Sequence, residues 1–211
     1  MRALVAELIG TFALVFAGAG AIMVDEKTHA LGHVGVAIAF GLVIMVMIYA
    51  VGHVSGAHFN PAVSLAFALT RHFSWARLVG YWAAQVSGAP IAAAILRGSL
   101  GNRAHVGATL PAGSQGQAFL WEVVLTFFLM FVIMSVATDT RAVGEAAAIA
   151  IGGTVGLDAM FGGPVTGASM NPARSIGPAL VSGDLHALWV YIAAPVVGAA
   201  IGGVAYQYLR A

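Results

Sequence analysis

The residues of this chain best placed to do chemistry come in two matching sets. Asn60-Pro61-Ala62 follows Gly56-Ala57-His58, and Asn171-Pro172-Ala173-Arg174 follows Gly167-Ala168-Ser169 across one intervening residue each. Asparagine is a strong helix N-cap, and proline suits the first helical position, where its missing N–H is no loss. Each set therefore predicts a helix start approached by extended backbone, with short helices over Asn60–Leu69 and Asn171–Val181. Both segments are too apolar for a solvated loop and too short to cross a bilayer. The chemistry on offer is hydrogen-bond exchange rather than bond breaking. The Asn60 and Asn171 amides can donate to a passing oxygen, while the carbonyls of Gly56, Ala57 and His58 and of Gly167, Ala168 and Ser169 form two acceptor ladders. A neutral hydroxylated molecule can trade its water shell for these groups. A proton or cation would instead meet two partially positive helix ends and Arg174. A lone Asn-Pro-Ala is ordinarily just a helix start; two copies in apolar context point to one shared site.

Other chemistries lack their residues. There is no Gly-x-Ser-x-Gly elbow, no His-Glu-x-x-His pair and no phosphate loop, and neither His53 nor His58 has a second ligand at metal spacing. No catalytic residue, cofactor or metal site is expected. Of the 211 residues, 60% are apolar and only 8% charged, against about 25% charged in an ordinary soluble domain. Nine basic and eight acidic residues cannot cover a water-soluble globule of this size, and the absence of Cys removes a disulfide scaffold. A net charge of +1 without a basic cluster gives no nucleic-acid partner. An integral membrane protein with lipid around it is what remains.

The elements that must position the two sets follow from the apolar runs. Six are long enough to span, near 4–24, 33–52, 78–98, 118–138, 145–162 and 187–208. They are continuously apolar, unlike the alternating strands of a membrane barrel, so they read as helices. The connectors are Asp25–His29, Arg71–Arg77, Gly98–Gln117, Asp139–Glu145 and Ser182–His186. Six spans put both termini on one side. Placing them in the cytoplasm puts five basic residues inside (Arg2, Arg71, Arg77, Arg141, Arg210) and three outside (Lys27, Arg97, Arg103), a positive-inside bias. A plasma (inner) membrane is the expected location. The first run has signal-peptide features, but Glu7 within it and its later counterpart favour a retained span.

That counterpart belongs to a repeat. Glu7-x-x-x-Thr11-Phe12 returns as Glu122-x-x-x-Thr126-Phe127, and Ser55–Ser64 returns as Thr166–Ser175 at an offset of 111. Tyr81-x-Ala83-Ala84 with Gly88-Ala89 returns as Tyr191-x-Ala193-Ala194 with Gly198-Ala199 at an offset of 110. The chain reads as a single transmembrane domain, 1–211, made of one unit written twice, about 1–100 and 116–211. Three spans per unit is odd, so the second copy enters from the opposite side, an inverted repeat. Secondary transporters share that architecture, and an ion-coupled transporter is therefore the rival of a different class.

The paired motifs, the second continuing as Asn171-Pro172-Ala173-Arg174-Ser175, identify the chain as resembling the aquaporins, or major intrinsic proteins, from Glu7 to about Tyr208. The resemblance implies an all-α aquaporin fold, six transmembrane helices plus two re-entrant half-helices, assembled as a homotetramer with one pore per subunit. It also implies a selectivity constriction at Phe40, Ala159, Ala168 and Arg174, and loop bracing by Glu7 and Glu122. Water-specific members resemble the chain at Phe40 and Arg174, but carry His at the position of Ala159 and usually Thr or Cys at that of Ala168. Glycerol facilitators differ at Ser175 and Ala179, where they carry Asp and a basic residue. The stretch Gly163–Met170, with Ile176-Gly177-Pro178-Ala179 and Tyr191-Ile192, most resembles the plant nodulin-like branch and its bacterial relatives. That branch more often has Trp or a small residue in place of Phe40. It passes glycerol, urea and neutral metalloid hydroxides such as boric, silicic or arsenious acid. The expectation is a passive channel for water and such solutes, with a strictly water-selective channel as the alternative.

Among the remaining polar residues, Val63 matches Arg174 in the first copy, so charge is expected on one side of the pore only. A proton relay is the competing reading of Glu7 and Glu122. Asp158 is open between an outer vestibule position that disfavours anions and a pairing with Arg103.

Overall fold

Backbone amides inside a bilayer have no water to bond, which leaves helix as the available solution for continuous apolar runs. The computed structural model describes residues 1–139, 141 and 146–210 and contains no strand among them. In chain order the elements are α1 (Arg2–Thr28), α2 (Gly32–Ser55), α3 (Pro61–Leu69), α4 (Trp75–Leu100), α5 (Ala104–Gly107), α6 (Gln115–Thr138), α7 (Ala147–Thr166), α8 (Pro172–Ser182) and α9 (Leu188–Arg210). Six of these, between 20 and 27 residues long, are long and apolar enough to span, reaching about 30–40 Å at 1.5 Å per residue. Large apolar side chains such as Leu42, Val79, Leu120, Ile149 and Val204 are exposed around them, as a lipid-facing surface requires.

All six expected spans are present, and at most ends the helix runs beyond the apolar run. The expected connector Asp25–His29 is the clearest difference: Asp25 through Thr28 complete the last turn of α1. Helical bonding continues past the first charged residue because α1 finds its cap only beyond Thr28. His29 closes α1 in the left-handed region, and Asp25 Oδ1 accepts from the N–H groups of Leu31 (2.9 Å) and Gly32 (2.8 Å) at the start of α2. Glu145, the expected first residue of the fifth span, lies outside the described residues, as does Ala211.

The two sets of elements correspond in order: α1, α2, α3 and α4, then α6, α7, α8 and α9. α1 packs on α2 and α4, and α6 packs on α7 and α9; α2 meets α7 between the copies. Each half-helix reaches across, with α3 against α9 and α8 against α4. The repeated Gly-Ala pair lets helix backbones approach closely. A Cβ on Gly88 would sit 2.4 Å from the Leu8 carbonyl oxygen, and one on Gly198 would sit 2.3 Å from that of Val123. With six span-length helices, the start of α1 and the end of α9 fall on one side of the bundle. α5 and the α8–α9 link lie at the opposite mouth, called the far mouth below.

Candidate functional site

α3 and α8 begin as their sequences predict and meet end to end. Asn60 and Asn171 hold extended backbone, with φ −153° in both. The Asn60 Oδ1 accepts from Ala62 N at 2.9 Å, and the Asn171 Oδ1 accepts from Ala173 N at 3.0 Å and Arg174 N at 3.3 Å. Pro61 and Pro172 fill the first helical positions. The amide nitrogens reach across the repeat: Asn60 Nδ2 donates to the Met170 carbonyl and Asn171 Nδ2 donates to that of Phe59, each at 2.8 Å. An amide carries two N–H donors. One of each joins the two loops, so each Asn keeps one N–H rather than two for the cavity that both residues line. That exchange is a contact between distant segments and has no sequence signature.

The loops entering the half-helices are wound against their preference. Ala57 (φ 50°), Phe59 (φ 50°), Ala168 (φ 42°) and Met170 (φ 53°) are left-handed, a conformation costing about 1–2 kcal/mol for each non-glycine residue. Two carboxylates hold them. Glu7 accepts from His58 N (2.9 Å) and Phe59 N (2.7 Å), and Glu122 accepts from Ser169 N and Met170 N (2.8 Å each); both side chains are 0% exposed. Gln85 Nε2 adds a third bond to Glu7 (2.8 Å), and Thr166 Oγ1 adds one to Glu122 (2.8 Å). The repeated Tyr blocks gain a purpose that spacing did not reveal. Tyr81 OH donates to the Ser55 carbonyl (2.7 Å) and Tyr191 OH to that of Thr166 (2.6 Å), satisfying the last carbonyls of α2 and α7.

Between the repeats lies a cavity of about 300 Å³. The spans supply an apolar wall, including Leu14, Ile44, Leu129 and Val155. The loops supply the polar side, with Gly56, Ala57, His58, Ala168, Ser169 and both Asn residues. A second cavity of about 340 Å³ opens at the far mouth, where Gly167 lies. Phe40 and Ala159 line both cavities and so mark their junction, while Ala168 and Arg174 line the first. His58 sits deeper, with Nδ1 3.0 Å from Ser64 Oγ and its ring among Phe67, Phe73 and Tyr81.

Arg174 is 1% exposed. Its Nη1 donates to the Gly107 carbonyl at 2.8 Å, and its guanidinium carbon lies 5.0 Å from the Phe40 ring centroid. Nε and Nη2 have no hydrogen-bond partner among the described residues. Buried donors of this kind demand an acceptor, and water or a permeating solute can supply one. Val63, the counterpart of Arg174, lines the same cavity without charge. Gly107 has no sequence signature, because its contribution is a main-chain carbonyl. Asp158 takes neither expected position. It is 2% exposed, lines neither cavity, and its Oδ2 has no partner among the described residues. The acidic side chains close to a basic one among the described residues are Asp184, beside His105, and Asp139, beside Arg141; none pairs with Arg103. No group of three or more potential metal ligands occurs among the described residues.

The chain is similar to known proteins along nearly its whole length. The family profile described as "Major intrinsic protein" matches residues 1–206. Aquaporin NIP1-1 of Oryza sativa subsp. japonica is 51% identical over 100% of this chain and 75% of its own length. Nodulin-26 of Glycine max is 50% identical over 100% of this chain and 78% of its own. The X-ray structure of the aquaglyceroporin from Plasmodium falciparum superposes with a TM-score of 0.87 at 27% identity, covering 99% of this chain and 96% of that one. The chain belongs to the major intrinsic protein family, the aquaporin channels, which transport and do not catalyse.

Proposed function

We propose that this channel for water and small solutes passes glycerol, urea or neutral metalloid hydroxides such as boric, silicic or arsenious acid alongside water, and excludes protons and ions. The observation that carries the reading is the junction of the two cavities. Ala159 and Ala168 leave it open, and Arg174 presents two buried donors without a protein acceptor. A hydroxyl of a passing solute can accept from Nε and Nη2 while its carbon skeleton lies against Phe40 and the alanine methyls. Deeper in, the free N–H groups of Asn60 and Asn171 and the loop carbonyls continue the exchange. The two helix N-termini at the centre and Arg174 oppose cations.

Glu7 and Glu122 are assigned to loop bracing. Both accept from backbone N–H groups and neither lines the cavity, which suits a brace better than a proton relay. Both termini are assigned to the cytoplasmic side of a plasma (inner) membrane, on the distribution of basic residues, and the assembly is assigned as a homotetramer, on family membership. The strictly water-selective reading finds its support in Phe40 and Arg174.

Stopped-flow measurements on proteoliposomes test the proposal. Water, glycerol and boric acid should each cross faster than in empty vesicles, with low activation energy and no dependence on a proton or sodium gradient. Rapid water flux with glycerol and boric acid at the empty-vesicle rate would leave the water-selective reading. Uptake that collapses with an ion gradient would mark a coupled transporter instead.

A further inference from the structure

α5 at the far mouth is a single turn wound the disfavoured way. Ala104, His105 and Val106 have φ of 42°, 49° and 58°, and Gly107 completes the turn at 70°. Consecutive left-handed residues other than glycine persist only where their surroundings over-determine them. Three contacts do so here. Val106 is buried beside Val15, Ala19 and Met23. Gly107 lies so close to α1 that a Cβ would come within 2.8 Å of the Ala19 Cα. The His105 Nδ1 lies 3.1 Å from Asp184 Oδ2.

The third contact joins two pieces that meet at Arg174. The turn supplies the Gly107 carbonyl, the acceptor for Arg174 Nη1. Asp184 stands just after α8, the helix that carries Arg174, and is itself fixed. Its N–H donates to Ser182 Oγ at 3.2 Å, and its Oδ1 accepts from His186 N at 3.0 Å. Because Nε and Nη2 have no partner among the described residues, the direction of the guanidinium depends on the Gly107 carbonyl and the Phe40 ring. We infer that His105 and Asp184 are positioning residues, a latch that holds the left-handed turn and, through the Gly107 carbonyl, keeps the Arg174 guanidinium against the wall of the junction. This rests on the constriction proposed above. Released from Gly107, the guanidinium can swing into the cavity that Arg174 lines, obstructing a solute the size of glycerol before it obstructs water.

His105→Ala, Asp184→Ala and the double variant test this in proteoliposomes. The readouts are the glycerol-to-water permeability ratio and the activation energy of water flux, each after subtraction of the empty-vesicle flux, so that neither depends on how many channels insert. Each single variant should lower the ratio about two- to fivefold, the scale of a partly exposed pair, and the double variant should lower it no further. A ratio and activation energy equal to wild type in all three variants, even with lower total flux, would overturn the latch. So would single effects that multiply in the double variant. If the wild type passes water and no glycerol, the solute reading fails by itself. The latch is then judged on activation energy, which should rise in both single variants and overturns it if unchanged.

Discussion

Glu122→Gln probes the loop that carries half of the central motif. The carboxylate accepts from Ser169 N, Met170 N and Thr166 Oγ1, all at 2.8 Å, in a site with no exposure. The amide has nearly the same shape but only one acceptor oxygen. If that oxygen keeps Ser169 and Thr166, the new –NH₂ faces the Met170 N–H, donor against donor. An orphaned buried N–H costs about 1–3 kcal/mol, and two charge-assisted bonds become neutral ones at about 1 kcal/mol each. The expected loss is about 3–5 kcal/mol, which shifts the equilibrium between ordered and disordered loop about 10²–10⁴-fold. Ala168 and Met170, held in the left-handed region, should relax first, and Asn171 would lose its register with Phe59. The assay pairs a thermal melt of purified protein with stopped-flow water permeability per unit of reconstituted protein. Both should fall together. A variant that melts and conducts water like the wild type would refute the bracing argument, and loss of proton-coupled uptake alone would favour a relay.

Further outcomes follow from other parts of the molecule. Arg174→Val copies Val63 into the second repeat and should raise proton or cation leak at least about tenfold while water still crosses; an unchanged leak would remove Arg174 from the exclusion mechanism. Gly198→Ala places a methyl 2.3 Å from the Val123 carbonyl oxygen, so melting should show about 1–3 kcal/mol of destabilisation from overpacking, and an unchanged melt would contradict the close α6–α9 packing. Bonds from the Arg141 guanidinium and N–H, with the Tyr206 hydroxyl, hold the Asp139 carboxyl well below the usual carboxylate range. A depressed carboxylate stabilises above its unfolded pKa and loses that contribution as pH falls through the folded value. The melting gap between wild type and Asp139→Asn should therefore hold steady from neutral pH to about pH 5 and close below about pH 4; a gap that widens on acidification would reverse the sign.

The sequence was most informative where local chemistry decides structure. Continuous apolar runs dictated the six spans, and Asn followed by Pro dictated where α3 and α8 begin, because capping acts between residues two or three apart. The repeat placed Glu7 and Glu122 in equivalent positions before their partners were known. What stayed hidden acts through main-chain groups or distant side chains. The Gly107 carbonyl on Arg174, the crossed bonds from Asn60 and Asn171, and the Tyr81 and Tyr191 hydroxyls on helix ends all join residues at least 25 positions apart. Helix ends were displaced for a related reason: Asp25 reads as a loop residue by charge, yet it sits in the last turn of α1 and binds the start of α2. Asp158 has no structural account beyond its burial.

The central claim is that the size of the junction at Ala159 sets which solutes pass. Ala159→His restores the imidazole that water-specific relatives carry there, on a position lining both cavities. The decisive measurement is a stopped-flow panel of water, glycerol, urea and boric acid on the wild type and this variant, reconstituted at equal density. The variant should keep its water permeability and lose at least about tenfold of that for the larger solutes, since an added ring in a well-packed site excludes by volume. Glycerol and boric acid permeabilities that stay at the wild-type level, with water conducted by both proteins, would contradict it.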